Sequence, residues 1–411
     1  MGTNSSFFRA QSVKPKEFQV LGFDPWLVII VLIMVVFGMV MVYSASWDVS
    51  WRLFGDPNKI FLRQALNLLV GLVVLAIASR LPLRWIRAFA LPIILFAIFA
   101  LLAVLVLGVG SGPKRAFLNG SIQPSELAKL AMIIYMAVWM ESKEERLMEW
   151  GYGLIPLVVM IGLMSGLILL QPDLSAAITI GVVALVMFYL AGSPLIQTIT
   201  IALGSAGIGL LLVRVSNTGR QRWTEYINGL VNVDEASYHV KQSLQAFNSG
   251  GLFGRGLGAS REKFGLLPAP HTDSIFAIIG EELGLVGGMV VLGLFAFLVL
   301  RGFRIARQQP DRLAMFLACG ITFWIGIEAF VNMAVLLGMI PFAGNALPLF
   351  SYGGSSLVTN LAAIGLLLNV SRRKPLESKA KQNVKTLSVS RGDRRRRVSR
   401  VSRRRSSRQR R

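Results

Sequence analysis

The chain carries apolar runs too long and too numerous for a soluble core. Runs of roughly 17–25 residues, each able to cross about 30 Å of hydrocarbon as a helix, recur ten times: about 26–45, 64–80, 88–109, 126–141, 153–171, 174–191, 195–214, 274–300, 312–338 and 348–370. With 54% hydrophobic and only 16% charged residues, the 411-residue chain is too apolar for a soluble globule. The pattern predicts an all-α polytopic membrane protein. It has ten transmembrane helices and a large extracellular loop between the seventh and eighth.

Charge sets the orientation. Lys14 and Lys16 precede the first run, Arg80, Arg84 and Arg87 fill the second short connection, and Arg301, Arg304, Arg307 and Arg312 fill another. With ten crossings these all fall on one side, together with the basic tail, and the positive-inside rule makes that side cytoplasmic. Residues 1–25 are then a cytoplasmic tail, 26–370 the membrane domain and 215–273 the extracellular loop. The net charge of +22 resides mainly in the cytoplasmic tail 371–411, where eighteen Lys and Arg meet two acids. That tail has no aromatic residue and reads as a solvated, disordered arm held near anionic lipid head groups. No nucleic-acid partner is expected. Cys319, the single cysteine, lies in an apolar run and offers neither an internal disulfide nor a metal site. Ser44-Ala45-Ser46 resembles a signal-peptidase site, but the run before it exceeds a signal core, which favours an uncleaved anchor.

Two outward stretches interrupt the short connections. In 110–123 the glycines and a proline oppose regular helix. In the long loop, Trp223, Tyr226, Ile227 and Leu230, then Tyr238, Leu244 and Phe247, recur at helical spacing and predict short amphipathic helices along the membrane surface.

Ionisable groups in or beside such runs are costly unless paired or used. Gln123-Pro124-Ser125-Glu126 opens the fourth run, and Lys129 follows Glu126 at a spacing that puts both on one helical face. The two either neutralise each other or shape a polar cavity. Asp173 stands where it can cap the sixth helix. The glycines of 250–258 lack the Gly-Lys-Ser/Thr ending of a nucleotide loop and suit a close backbone approach to membrane or substrate. Lys114, Arg115, Arg220 and Arg222 are outward cations, either solubilising charges or grips for a phosphate. Ser351 and Ser355 flank a run of small residues at the last span, where hydroxyls can bond across helices. His271-Thr272-Asp273 meets the eighth run. Asp273 there caps a helix, carries an ion or acts as a general base tuned by His271.

The stretches LNGSIQPSELAKL, LILLQPDLSAA, SLQAFNSGGLFGRGLGASREKFGLLPAPHTDSIFAIIGEELG and LPLFSYGGSSLVTNLAAIGLLL occur in this order. Together they resemble the SEDS family, which includes FtsW, RodA and SpoVE, over about 26–370, with most likeness to its FtsW side. The resemblance implies ten transmembrane helices and peptidoglycan glycosyltransferase activity on lipid II, at the outer face of the bacterial cytoplasmic membrane and at the division septum. It places the family's essential aspartate on Asp273 and its buried acid–lysine pair on Glu126 and Lys129. Gln123, Ser125 and Thr272 lie within the matching motifs. The family's Arg-x-Trp element reads Arg115-Ala116-Phe117 here, so Phe117 offers no indole nitrogen. Ser274 and Ser175 also depart from the family pattern, as does 341–347.

The implied mechanism is inverting. Asp273 takes the proton of the acceptor's C4 hydroxyl, and undecaprenyl pyrophosphate leaves against Arg115, Arg220, Arg222 or a divalent cation (Mg or Mn). The implied partners are a class B penicillin-binding protein, which is a transpeptidase, and other division or elongation proteins. A RodA-type elongation polymerase, a lipid II flippase and a non-enzymatic scaffold are the alternatives.

Overall fold

The computed structural model of the chain describes residues 22–107, 123–143, 147 and 149–372, and no strand occurs among them. Twelve α-helices are present in the described residues: α1 (Pro25–Phe54), α2 (Lys59–Ala78), α3 (Leu83–Leu107), α4 (Pro124–Lys143), α5 (Ile155–Leu169), α6 (Leu174–Leu190), α7 (Leu195–Val215), α8 (Asn217–Val231), α9 (Tyr238–Gly250), α10 (Ile275–Arg307), α11 (Arg312–Leu336) and α12 (Gly354–Ser371). Six of them, α1, α2, α3, α10, α11 and α12, are long and apolar enough to cross a membrane, and α5, α6 and α7 are apolar over shorter lengths. The chain is thus all-α in its described part and a polytopic membrane protein. Both terminal tails, 1–21 and 373–411, lie outside the described residues.

Local chemistry sets the helix ends. Asp24 caps α1 by accepting from Leu27 N at 3.1 Å, with Pro25 in the first turn, and Gly55 at φ 68° closes that helix. Asp311 caps α11 and Ser216 caps α8 in the same way. The last helix starts at Gly354, later than the apolar run that begins near 348. Residues 348–353 are irregular because their backbone and hydroxyl groups bond to other segments, described below.

The middle of the bundle is made by α4, α11 and α12, whose Met136, Met140, Trp324, Phe316 and Ile364 are inaccessible or nearly so. The other helices turn apolar faces outward: Leu66, Leu69 and Val73 on α2, Phe96 and Phe99 on α3, Leu203 and Leu211 on α7 are all exposed. An apolar exterior of this extent needs lipid to cover it.

Gly284 breaks α10 with φ 69°, ψ −166°, a conformation open to glycine and costly for other residues. The break leaves backbone groups without helical partners, and the 251–256 loop supplies them. Arg255 N and Gly256 N donate to the carbonyls of Glu281 (3.0 Å) and Glu282 (2.9 Å), while Leu285 N donates to Gly251 O (2.9 Å) and Val286 N to Leu252 O (3.2 Å). The glycines of this loop therefore serve a backbone-to-backbone interlock with α10. The two acids at the break are fully buried and hold the same loop. Lys263 Nζ lies 2.9 Å from Glu282 Oε1, and Arg261 N donates to Glu281 Oε1 at 2.9 Å. Ser44 of α1 donates to Glu282 at 2.6 Å and accepts from Lys263 Nζ at 3.1 Å, which ties both α10 and the loop to the first helix.

Candidate active site

A cavity of about 550 Å³ opens between α2, α4, α6, α11 and the first turn of α12, with Thr272 and Asp273 at its wall. Four carboxylates line it, Glu126, Asp173, Asp273 and Glu328, together with two cations, Lys129 and Arg63. Such a polar enclosure inside an apolar bundle marks a site for a polar substrate.

Asp273 is half-buried, and the segment that carries it is fixed through its backbone. Three consecutive carbonyls are each bound by a donor from elsewhere in the chain. Tyr352 N donates to His271 O (2.8 Å), Ser351 Oγ to Thr272 O (2.7 Å), and Asn332 Nδ2 to Asp273 O (2.9 Å). Ser351 is itself oriented, because its Oγ accepts from Leu347 N at 2.8 Å. Gly344 borders the carboxylate: a side chain there would place its first carbon 3.3 Å from Asp273 Oδ2. Ser274, and not Asp273, occupies the cap position of α10, without a side-chain bond to the helix. His271 packs against Tyr352 with ring centroids 5.4 Å apart and does not line the cavity. Burial pushes its pKa down to about 4, so the ring is neutral near pH 7.

Below this segment, Lys129 joins two acids. Its Nζ lies 2.9 Å from Glu126 Oε1 and also contacts Glu328 Oε1, and all three side chains are buried. Glu328, on α11, escaped the sequence reading. It is a lone acid within an apolar run, the same signal that singled out Glu126. Asn345 Nδ2 donates to Glu328 O at 3.1 Å, and Asn332 Nδ2 donates to Asn345 O at 2.6 Å, so the ion cluster and Asp273 share one hydrogen-bonded frame.

Asp173 organises the opposite wall. It caps α6 by accepting from Ala176 N at 3.3 Å, and its other oxygen accepts from Gln123 Nε2 (2.9 Å) and Ser125 Oγ (3.3 Å). Gln123 N donates to Ser355 Oγ at 3.1 Å, which joins α4 to α12.

The structure therefore brings together Gln123, Ser125, Glu126, Lys129, Thr272, Asp273, Ser351 and Ser355, with His271 behind them. Arg220 and Arg222 lie on α8, away from the cavity lining: Arg220 bonds Asn217 Oδ1 at 3.4 Å and Arg222 sits 5.6 Å from the Phe342 ring. Arg115 and Phe117 fall outside the described residues. No group of three or more His, Cys, Asp and Glu among the described residues could hold a metal ion.

The model of the FtsW/RodA/SpoVE family, described as a cell cycle protein, matches residues 25–375. The chain is 40% identical over 356 residues to the probable peptidoglycan glycosyltransferase FtsW of Geobacter sulfurreducens, covering 84% of this chain and 95% of that one. It is 38% identical over 356 residues to the stage V sporulation protein E of Bacillus subtilis, covering 85% and 97%. Among solved structures, the rod shape determining protein RodA of Thermus thermophilus aligns with a TM-score of 0.64 at 29% identity, over 86% of this chain and 98% of that one. A chain from a peptidoglycan synthase complex that coordinates polymerization and crosslinking aligns with a TM-score of 0.68 at 29% identity and the same coverage.

Proposed function

The chain belongs to the FtsW/RodA/SpoVE family and is a peptidoglycan glycosyltransferase, and from that premise we propose that it polymerises lipid II during cell division with Asp273 as general base. The observation that carries the assignment is the fixing of Asp273 at the wall of the polar cavity, with the carbonyls of His271, Thr272 and Asp273 each held by a separate donor. A base must meet the hydroxyl it deprotonates within hydrogen-bond reach, and a rigid backbone sets that distance in advance.

In this reading Asp273 takes the proton from the C4 hydroxyl of the acceptor sugar. The oxygen attacks the anomeric carbon of the lipid-linked donor, and the bond to the diphosphate breaks with its electron pair. Undecaprenyl pyrophosphate leaves, with inversion at the anomeric carbon. His271 is neutral and behind the wall, and it supports the base's position without carrying the proton. A divalent cation, if required, would arrive with the diphosphate.

The topology that suits this chemistry has ten crossings, α1 to α7 and α10 to α12, with both tails cytoplasmic and 215–273 outside. Helices α8 and α9 then lie along the outer surface. The enzyme would work at the septum. A class B penicillin-binding protein is the partner proposed for cross-linking, supported by the structural likeness to a chain of a peptidoglycan synthase complex. The basic tail would rest on anionic lipid.

Asp273→Asn keeps the size of the side chain and removes its basicity. Polymerisation of purified lipid II should fall by about 10²–10⁴-fold or more, with the melting profile in detergent unchanged. Normal polymer from this variant would remove Asp273 from the chemistry.

A further inference from the structure

Transfer from a lipid-linked donor leaves negative charge on a diphosphate, and the carboxylate-rich cavity must oppose that charge somewhere. Lys129 is engaged with Glu126 and Glu328. Arg220 and Arg222 lie off the lining. Arg63, on the first turns of α2, is the remaining cation of the cavity wall among the described residues, and it is exposed, at the mouth. It forms no ion pair with a carboxylate among the described residues.

Lys59 precedes Arg63 by one helical turn and is likewise without an acid partner there. Its Nζ lies 4.4 Å from the centroid of the Phe54 ring, and the Arg63 guanidinium carbon lies 5.1 Å from the same centroid. Like charges at this spacing repel, and an anion between them would relieve the repulsion.

The turn that carries Arg63 is bolted to the segment that holds Asp273. Its neighbour Gln64 is buried, donates through Nε2 to Ser351 O at 3.2 Å and accepts from Gly353 N at 3.3 Å. Ser351 and Tyr352 bind the carbonyls of Thr272 and His271. Arg63 and the base thus stand on two segments clamped to the same three residues, 351–353. Gly354, Ser355 and Ser356, whose side chains are small or absent, complete that wall and leave room beside Arg63.

We propose that Arg63, seconded by Lys59, is the diphosphate-binding residue of the donor subsite, gripping the leaving undecaprenyl pyrophosphate opposite Asp273. The inference rests on the glycosyltransferase reading above and gives it a counter-charge among the described residues. A guanidinium takes two phosphate oxygens at once through parallel N–H donors, which an ammonium cannot match. As the anomeric carbon–oxygen bond breaks, the leaving oxygens gain charge and the contact strengthens, so it lowers the barrier as well as binding the lipid.

The test measures two things on the full chain in detergent: binding of undecaprenyl pyrophosphate and of undecaprenyl phosphate by intrinsic fluorescence, and lipid II polymerisation. Wild type, Arg63→Gln, Arg63→Lys, Lys59→Gln and Asp273→Asn are compared. Arg63→Gln should bind the pyrophosphate lipid about tenfold or more weakly, lose the preference for pyrophosphate over monophosphate, and show a lowered kcat. Arg63→Lys should recover part of both, and Lys59→Gln should show a smaller loss of binding. Asp273→Asn should bind the pyrophosphate lipid as wild type does while its polymerisation falls by about 10²–10⁴-fold or more. Unchanged pyrophosphate binding by Arg63→Gln would overturn the proposal whatever Asp273→Asn does. An Asp273→Asn that polymerises at the wild-type rate would overturn the general-base reading and leave the binding result for Arg63 standing.

Discussion

Asn332 is 2% exposed and places both amide hydrogens on backbone carbonyls, those of Asp273 and Asn345. Asn332→Ala would leave both carbonyls without this donor, at a cost of about 1–3 kcal/mol for each buried group left unsatisfied. Since Asp273, the proposed base, would drift with its backbone, kcat for polymerisation should drop by about 10–100-fold while pyrophosphate-lipid binding persists; an unchanged kcat would show that the carbonyl contact does not position Asp273. His271 gives a pH signature. Its folded pKa of about 4 lies below its ordinary 6.5, so the unfolded chain binds the proton first as pH falls. The stability that depends on a neutral His271 is full above pH 6.5 and drains as the pH falls towards 4, by roughly 3 kcal/mol in all. The thermal midpoint in detergent should therefore fall more steeply over that window in wild type than in His271→Gln. Asp273, Glu126 and Lys129 were legible in the sequence because an ionised group against an apolar run is conspicuous. Asn332 and Asn345 were not, since an uncharged amide stands out less and the carbonyl that Asn332 holds at Asp273 lies 59 residues away. Arg63 does not stand out in the sequence, because a cation at the outer end of a span looks like an ordinary end charge.

At the scale of elements, apolar run length located the long helices but not their irregularities. The run near 26–45 becomes a helix that continues to Phe54, because its final turns, through Trp47 and Trp51, stay helical past the strictly apolar part. The break in α10 is not marked in the sequence, since Gly284 is one of several glycines between 280 and 288 and only the opposing loop reveals why the helix bends there. Gly284→Ala meets two obstacles there, a positive φ and the backbone of Gly254 and Leu252 packed against the position where a side chain would begin. Strain of this type costs about 1–3 kcal/mol, so the variant should unfold several degrees earlier in detergent, and an equal melting temperature would mean that the interlock yields freely. The Lys129 cluster is a second joint between elements, α4 to α11. Lys129→Met strands two acids in the core, a loss of about 3–5 kcal/mol, and should reduce the yield of folded protein more than Lys129→Met combined with Glu126→Gln and Glu328→Gln. Equal yields would show that the charges are not coupled through folding.

For the molecule as a whole, charge is divided by region more sharply than by surface. The basic tail, with eighteen Lys and Arg in 372–411, shares no motif with the cavity. Removing 373–411 should leave lipid II polymerisation unchanged and weaken association with phosphatidylglycerol vesicles, each lost charge near the surface counting for about 1 kcal/mol; a collapse of polymerisation would assign the tail a part in catalysis. The cavity, by contrast, draws on the most distant parts of the chain. Its walls come from 63–67, 123–129, 173–179, 272–273 and 328–356, and two of the three contacts that hold the segment of Asp273 are made by Ser351 and Tyr352, a few residues before α12. A chain emerging from the ribosome has threaded nearly every other span into the bilayer before those two residues exist. With Asp273 as the proposed base, the nascent protein is therefore silent throughout its insertion, and it acquires the power to join sugars only as its final helix enters.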